Sequence, residues 1–413
     1  MEAFNTIPVE YDLRPAYYDD FQCLAGDCRW TCCKGWHITF DKKDYMFLKR
    51  QTGSPDFNDR MAHSLRRIRS GPFSEKFYGE IKLKEDGLCP LQCENGLCAL
   101  QLEKGHAALP YVCRIFPRTE MPLPSGYLEK DLSPACEGVL ALLWEMPEGI
   151  EFRSDPLPAG QITKAAVGPR SSLKAYFHEI RSQCIDFLQD RRISLPKRIM
   201  VMGLALKSLA EGETDLTRWM ARAQFLSEQA AAGGITLEEG NEHVLQKILA
   251  NHTRFFSLLS SVSDDFRSVQ QEMLEALVIG GRIENGAPLA TVSSIPYREA
   301  SKRFQQQFGS QGDYFMENLM VALFFQLHFP VLDSPVDLWK SYVNFCNLYS
   351  IYRFLAVMSC REGAAADRDE LFRLMVYASR TLVHNGQVQS AVQDVMFETD
   401  SATLAHMSIL LSG

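Results

Sequence analysis

The sequence predicts a mainly α protein, in which an irregular cysteine-rich metal-binding N-terminal domain is followed by an α-helical bundle. Three observations predict it. Nine of the twelve cysteines fall between positions 23 and 136. From Ser171 onward, apolar residues recur at three- and four-residue intervals, the spacing of one buried helix face. Between the two patterns lies a stretch with Gly149, Pro156, Pro158 and Gly160, which reads as a connection. The expected division is therefore 1–146 for the cysteine-rich domain, 147–170 for a linker and 171–413 for the helical domain.

Composition agrees with a folded chain and limits its partners. The 413 residues are 46% hydrophobic and 23% charged, ordinary values for a globular protein. At that length two or three domains are expected, at roughly 100–200 residues each. A formal charge of -8 argues against nucleic acid or an anionic membrane as a general partner. The basic runs Arg66-Arg67 with Arg69, and Arg191-Arg192 with Lys197-Arg198, read as solvated helix faces. No basic segment leads into an apolar one at the N-terminus, as a signal peptide would require. The apolar run Leu319 to Phe325 is far short of the roughly 20 residues that span a bilayer. A cytoplasmic location is expected, where thiols stay reduced.

That expectation decides how the cysteines are read. Cys184, Cys346 and Cys360 sit singly in helical segments and read as small buried hydrophobes. Cys23, Cys28, Cys32, Cys33, Cys89, Cys93, Cys98, Cys113 and Cys136 need another explanation. A disulfide framework is disfavoured by compartment and by the odd number, and adjacent Cys32 and Cys33 do not readily meet disulfide geometry. Thiolate ligation of a metal remains, and soft sulfur selects zinc or iron–sulfur over magnesium or calcium. Cys28-x3-Cys32 and Cys89-x3-Cys93 would serve as two zinc knuckles. The surplus of thiols and the adjacent pair suit a polynuclear cluster better, which takes four cysteines from scattered loops. Gly26, Gly35, Gly87 and Gly96 let the backbone approach such a centre, and ligation would supply part of the folding energy.

Within the first region, Asp41 to Lys49 and Asp59 to Arg69 read as short helices, with Asp41 and Asp59 as N-caps. Val139 to Trp144 is a short apolar run. Further on, helices are expected around Leu173 to Phe187, Ser194 to Leu209, Leu216 to Ala232, His243 to Leu259 and Phe266 to Val278. After a looser connection from Gly280 to Pro296 come Tyr297 to Phe308, Tyr314 to Phe329, Val336 to Met358, Arg368 to His384 and Gln389 to Leu411. Asn318 to Phe329, the most apolar of these, is expected at the centre of the bundle. No nucleotide-binding glycine fingerprint, P-loop, nucleophile elbow, H-E-x-x-H or EF-hand pattern occurs. Of the scattered histidines only His37, beside Trp36, stands close to the thiols, and it reads as a packed neighbour.

The front motifs carry a resemblance. Ala16-Tyr17-Tyr18-Asp19-Asp20-Phe21, Cys23-Leu24-Ala25-Gly26-Asp27-Cys28 and Cys32-Cys33-Lys34-Gly35-Trp36 resemble the flagellin lysine-N-methylase family. So do Cys89-Pro90-Leu91, Gly96-Leu97-Cys98, Cys113-Arg114-Ile115-Phe116-Pro117-Arg118 and Ser133-Pro134-Ala135-Cys136. The likeness is specific over about residues 8–140 and diffuse beyond. It implies an eight-thiol set of Cys23, Cys28, Cys32, Cys33, Cys89, Cys98, Cys113 and Cys136, leaving Cys93 as an extra thiol. It also implies an iron–sulfur cluster, of the 4Fe-4S type with zinc as the alternative. The implied activity is methyl transfer from S-adenosylmethionine to lysine amines of flagellin. Cys28-x3-Cys32 resembles the start of the radical S-adenosylmethionine motif, but Gly35 stands where its last thiol belongs. The motif is incomplete.

Overall fold

The computed structural model describes residues 6–36, 38–69, 75–161, 163–166, 172–237, 242–260, 264–284, 287–384 and 402–412. His37 lies outside them. The chain begins with β1 (Thr6–Val9), β2 (Tyr11–Pro15), α1 (Tyr17–Asp20), β3 (Thr39–Phe40), α2 (Lys42–Leu48), α3 (Pro55–Ser64), β4 (Leu65–Arg67) and β5 (Gly79–Ile81). It continues through α4 (Ala99–Lys104), α5 (Tyr111–Ile115), β6 (Arg118–Pro122), β7 (Tyr127–Leu132), α6 (Glu137–Trp144), β8 (Phe152–Arg153) and β9 (Thr163–Ala166).

The front segment is thus more ordered than the irregular domain its cysteine loops suggested. A four-stranded sheet runs in the order β6-β7-β2-β8, and a three-stranded one in the order β3-β5-β4. Strand β2 lies parallel to β7, with Tyr11 opposite Tyr127, and antiparallel to β8. The first strand pairs with β9, Val9 opposite Thr163. Two of these pairings draw on the stretch 147–170. The strands are short, and their partners lie up to about 160 residues away in sequence, so a local reading of periodicity has little to detect.

Local chemistry explains the short helices. Asp41 caps α2 by accepting the Asp44 N–H at 2.8 Å, as read from the sequence. Asp59 does not cap the next helix. Ser54 does, accepting the Phe57 N–H at 3.2 Å with Pro55 at the first helical position, a pairing of cap and proline that outcompetes an aspartate five residues after the cap.

The helical body follows as α7 (Phe177–Gln189), α8 (Leu195–Ala210), α9 (Leu216–Ala231), α10 (Glu242–Ser260), α11 (Asp264–Leu277), a hairpin of β10 (Val278–Glu284) and β11 (Ala287–Val292), then α12 (Ile295–Gln326), α13 (Pro335–Met358), α14 (Arg368–Leu382) and α15 (Leu404–Ser412). The hairpin replaces the loose connection expected from Gly280. The two helices expected on either side of Gly309 are both present and meet in α12 at a kink on that glycine, whose φ of 49° is not helical. Of the last expected helix, 385–401 lie outside the described residues.

Two main apolar cores divide the molecule, with a small third cluster of Val9, Leu128, Leu157 and Ala165 beside β1 and β9. The larger spans the bundle and reaches into the front segment through Tyr17, Phe21, Leu132, Val139, Leu140 and Leu143. Its centre is the second half of α12, buried from Phe315 to Phe325, as its apolar run predicted. Cys184, Cys346 and Cys360 are fully buried within it. Close packing is visible at Gly203, where an added methyl would lie 2.1 Å from the Tyr342 ring. The smaller core, built from side chains such as Phe40, Leu48, Phe57, Ile81, Leu91 and Leu100, lies under the thiol loops with Cys89, Cys93 and Cys98 at its edge.

One member of the second basic run, Arg198, is buried rather than solvated. Arg191 and Arg198 both reach the buried carboxylate of Glu317, because a charge on the central helix needs partners at that depth. A second buried pair, Arg181 with Glu129, joins α7 to the front sheet. The Arg181 guanidinium also donates to the Phe325 carbonyl at 2.8 Å, and His328 reaches Glu129 at 2.7 Å. Nearby, Asp131 accepts from the Tyr17 hydroxyl at 3.2 Å.

Candidate metal centre

Three stretches of chain bring the front thiols together. The first, 23–36, turns tightly: the Ala25 N–H points at the Cys23 sulfur at 3.4 Å. Glu137, next to Cys136, accepts the N–H groups of Arg29 and Trp30 at 2.7 and 2.8 Å. That single carboxylate holds the loop between Cys28 and Cys32 against the start of α6. The second stretch, 87–98, is laid antiparallel to the first. The Cys89 N–H donates to the Cys33 carbonyl at 2.8 Å, and the Gly35 N–H to the Gly87 carbonyl at 3.0 Å. Gln92 closes the seam by donating to the Thr31 hydroxyl and the Gly96 carbonyl. Here glycine is required: an added methyl on Gly26 would stand 2.4 Å from the Asn95 carbonyl oxygen. The third stretch supplies Cys113 from α5 and Cys136 from the N-cap of α6.

The sulfurs share one electrostatic neighbourhood. Cys32 is at its hub: its negative charge acts on Cys28, Cys33, Cys89, Cys98, Cys113 and Cys136. Cys23 acts on Cys28 and Cys136, and Cys93 on Cys98. Burial, reinforced by those neighbouring charges, holds Cys28 and Cys98 above the ordinary thiol range and pushes Cys89 and Cys136 up to about 11. Cys32 goes the other way, below the ordinary thiol range. The Cys33 thiol donates to it, and the Arg380 guanidinium favours its charge against the cost of desolvation.

Three sulfurs also sit in paired backbone donors. The N–H groups of Leu91 and Gln92 are directed at Cys89, those of Leu100 and Gln101 at Cys98, and those of Gly138 and Val139 at Cys136. Such pairs stabilise sulfur in its anionic form, the form that ligates. No cysteine is in a disulfide. Among the described residues, no three His, Cys, Asp or Glu side chains close round the position of a single ion.

The fourth wall comes from the helical body and has no signature in the front sequence. Arg380 on α14 donates to the carbonyls of Trp30 at 2.7 Å and Thr31 at 3.0 Å. Tyr377 meets the Trp30 ring edge-on. His384 packs edge-on against Trp36 with centroids 5.0 Å apart, and its Nε2 lies 2.7 Å from the Ser133 hydroxyl. Glu137 could have been suspected from its place beside Cys136. Arg380 and His384 could not, because about 350 residues separate Arg380 from the loop it holds. The indole N–H groups of Trp30 and Trp36 are buried without an acceptor among the described residues.

Comparison with known proteins assigns the chain. The model of the FliB lysine N-methylase C-terminal domain matches residues 181–410. A lysine-N-methylase of Salmonella typhimurium is 34% identical over 389 residues, 91% of this chain and 92% of that protein. A lysine-N-methylase of Salmonella choleraesuis is 33% identical over 386 residues, again 91% and 92%. The flagellar biosynthetic protein FliU of Salmonella muenchen is 32% identical over 177 residues, 42% of this chain and 95% of that one. No solved structure matches. With its helical body covered by the family model and nine-tenths of its length aligned to two lysine-N-methylases, the chain belongs to the FliB lysine-N-methylase family.

Proposed function

We propose that this protein transfers methyl groups from S-adenosylmethionine to lysine side-chain amines of flagellin, and that its front thiols hold an iron–sulfur cluster. The observation that carries the activity is the 34% identity to a lysine-N-methylase along nearly the whole chain. The flagellar names of the relatives support a flagellar protein as substrate. In the transfer, the lone pair of a neutral lysine amine attacks the sulfonium methyl in line. The N–C bond forms as the S–C bond breaks, sulfur leaves with the electron pair as a neutral thioether, and the amine gives up a proton to a base. A lysine with an ordinary value near 10 must first lose a proton, which a dry site with a nearby acceptor favours.

The donor set fits a cysteine-ligated cluster. Cys23, Cys28, Cys32, Cys33, Cys89, Cys98, Cys113 and Cys136 supply more thiols than the four such a centre needs. The paired amides at Cys89, Cys98 and Cys136 and the unpartnered indole N–H groups of Trp30 and Trp36 are donors suited to sulfur acceptors. When bound, a cluster would cross-link the three thiol stretches and add a redox-active centre. Glu137, Arg380 and Gln92 keep those stretches in place. Cys28 with Cys32, and Cys89 with Cys93, would equally serve zinc as two knuckles, and metal analysis separates the two readings. For the activity, anaerobically purified protein is incubated with flagellin and methyl-labelled donor, followed by peptide mass spectrometry. Label on lysine is expected; none, with or without reductant, overturns the reading.

A further inference from the structure

We infer that the methyl donor binds in the helical body, in a cavity where α10, the first turns of α12 and the end of α13 meet. This rests on the methyl-transfer reading and gives it a place. The cavity is a half-open cleft with a volume of about 610 Å³, within the size range of small-ligand sites. No cysteine lines it, so a donor bound here would not touch the front thiols.

Its chemistry is two-sided. Leu245, Ile248 and Tyr297 form an apolar wall, with the Tyr297 ring stacked on Phe354 at an interplanar angle of 6°. Three cations also line the cavity. Arg298 is neutralised by Glu242 at 2.8 Å and Lys302 by Glu299 at 3.0 Å. Arg353 differs. It lies over the Phe304 ring at 5.3 Å, and no carboxylate among the described residues pairs with it. A half-buried guanidinium without a counter-ion at the wall of a cavity is a site for an anion, and its planar donor fork fits a carboxylate.

An anionic group on Arg353 and a flat ring against Ile248 and Tyr297 describe a small molecule with a carboxylate at one end and an aromatic base at the other. S-adenosylmethionine and its product have that build. The amino-acid carboxylate would pair with Arg353, and the adenine would lie on the apolar wall.

The test measures binding of the product S-adenosylhomocysteine and of adenosine, which lacks the carboxylate, by calorimetry. Wild-type holoprotein is compared with Arg353→Met and Ile248→Trp, each checked for an unchanged helical circular dichroism spectrum. Losing a charge-assisted pair should weaken the product about 10- to 100-fold in Arg353→Met and leave adenosine unchanged. Ile248→Trp should weaken both by filling the wall. Wild-type affinity for the product in both variants overturns the assignment, and a positive lysine-labelling assay beside it would leave the methyl-transfer reading standing. Tighter binding of adenosine monophosphate than of the product overturns it as well, by making the cavity a nucleotide site. A wild-type protein that binds no product and labels no lysine removes both.

Discussion

The two apolar cores show two ways of holding a chain together. The bundle core is continuous, with aromatic side chains such as Phe304, Phe315, Phe324 and Phe345 fully buried and packed against other rings. It folds by removing apolar surface from water. The front core is a small patch under loops whose cysteines remain half-buried or exposed. A segment with so little apolar burial relies on ties: Glu137 from α6, Arg380 from α14, and in our reading a bound metal centre. The lesson is that the front depends on the body, through α14, more than the body depends on the front.

That contrast can be broken or sharpened by substitution. The largest effect is expected at Cys32, the thiol whose charge reaches six of the others. Cys32→Ser should abolish metal loading and open the front loops to protease, since ligation contributes on the order of 10 kcal/mol to folding in small metal domains. Circular dichroism should show the bundle still helical. A Cys32→Ser protein that keeps its full metal content would show that this thiol is not a ligand.

Next comes Phe324, packed against Phe329 and Phe345 at 4.4 and 5.5 Å. Phe324→Ala should cost about 3–5 kcal/mol, read as a lower denaturant midpoint of the bundle. Because the front leans on the body, its metal absorbance should be lost at that same lowered midpoint. Survival of the absorbance after the bundle has melted would show the front to be independent.

Gly203→Ala should cost about 1–3 kcal/mol by forcing the Tyr342 ring aside, measured by the same melt. A neutral result would mean that α8 and α13 have room to separate.

The smallest effect is a pH dependence at the junction. Burial raises the Asp131 carboxyl to about 7, despite the Leu132 amide, the Tyr17 hydroxyl and Arg181. The folded state therefore holds a proton that the unfolded chain releases near 3.8. Between those values stability should fall as pH rises, because the native state binds more protons. Asp131→Asn should flatten that slope in urea melts from pH 4 to 7. An unchanged slope would place its origin elsewhere.

How much was legible in the sequence follows from the same contrast. Helices such as α7, α9 and α14 declared themselves by a stripe of period 3.6, α13 by its length and apolar composition, and Asn318 to Phe329 announced its burial by composition. The thiols declared themselves by number and by the glycines beside them. What the sequence did not reveal is long-range. The β10–β11 hairpin hid among glycines that read as loop. The front sheets hid because their strands are two to six residues long, and β1 with β9, and β2 with β7 and β8, pair across more than a hundred positions. Ser54 was passed over for Asp59, since both are good caps and only the following Pro55 decides between them. Arg380, His384 and the Arg353 cavity carry no motif at all; they become visible only when helices far apart in sequence are set side by side.

The claim on which the rest depends is that the front thiols grip an inorganic centre. Quantifying iron, zinc and acid-labile sulfide in protein purified without oxygen tests it most directly. Iron and sulfide in equal amounts, near four of each per chain for a 4Fe-4S cluster, are predicted. A folded, protease-resistant front segment carrying neither iron nor zinc would contradict it.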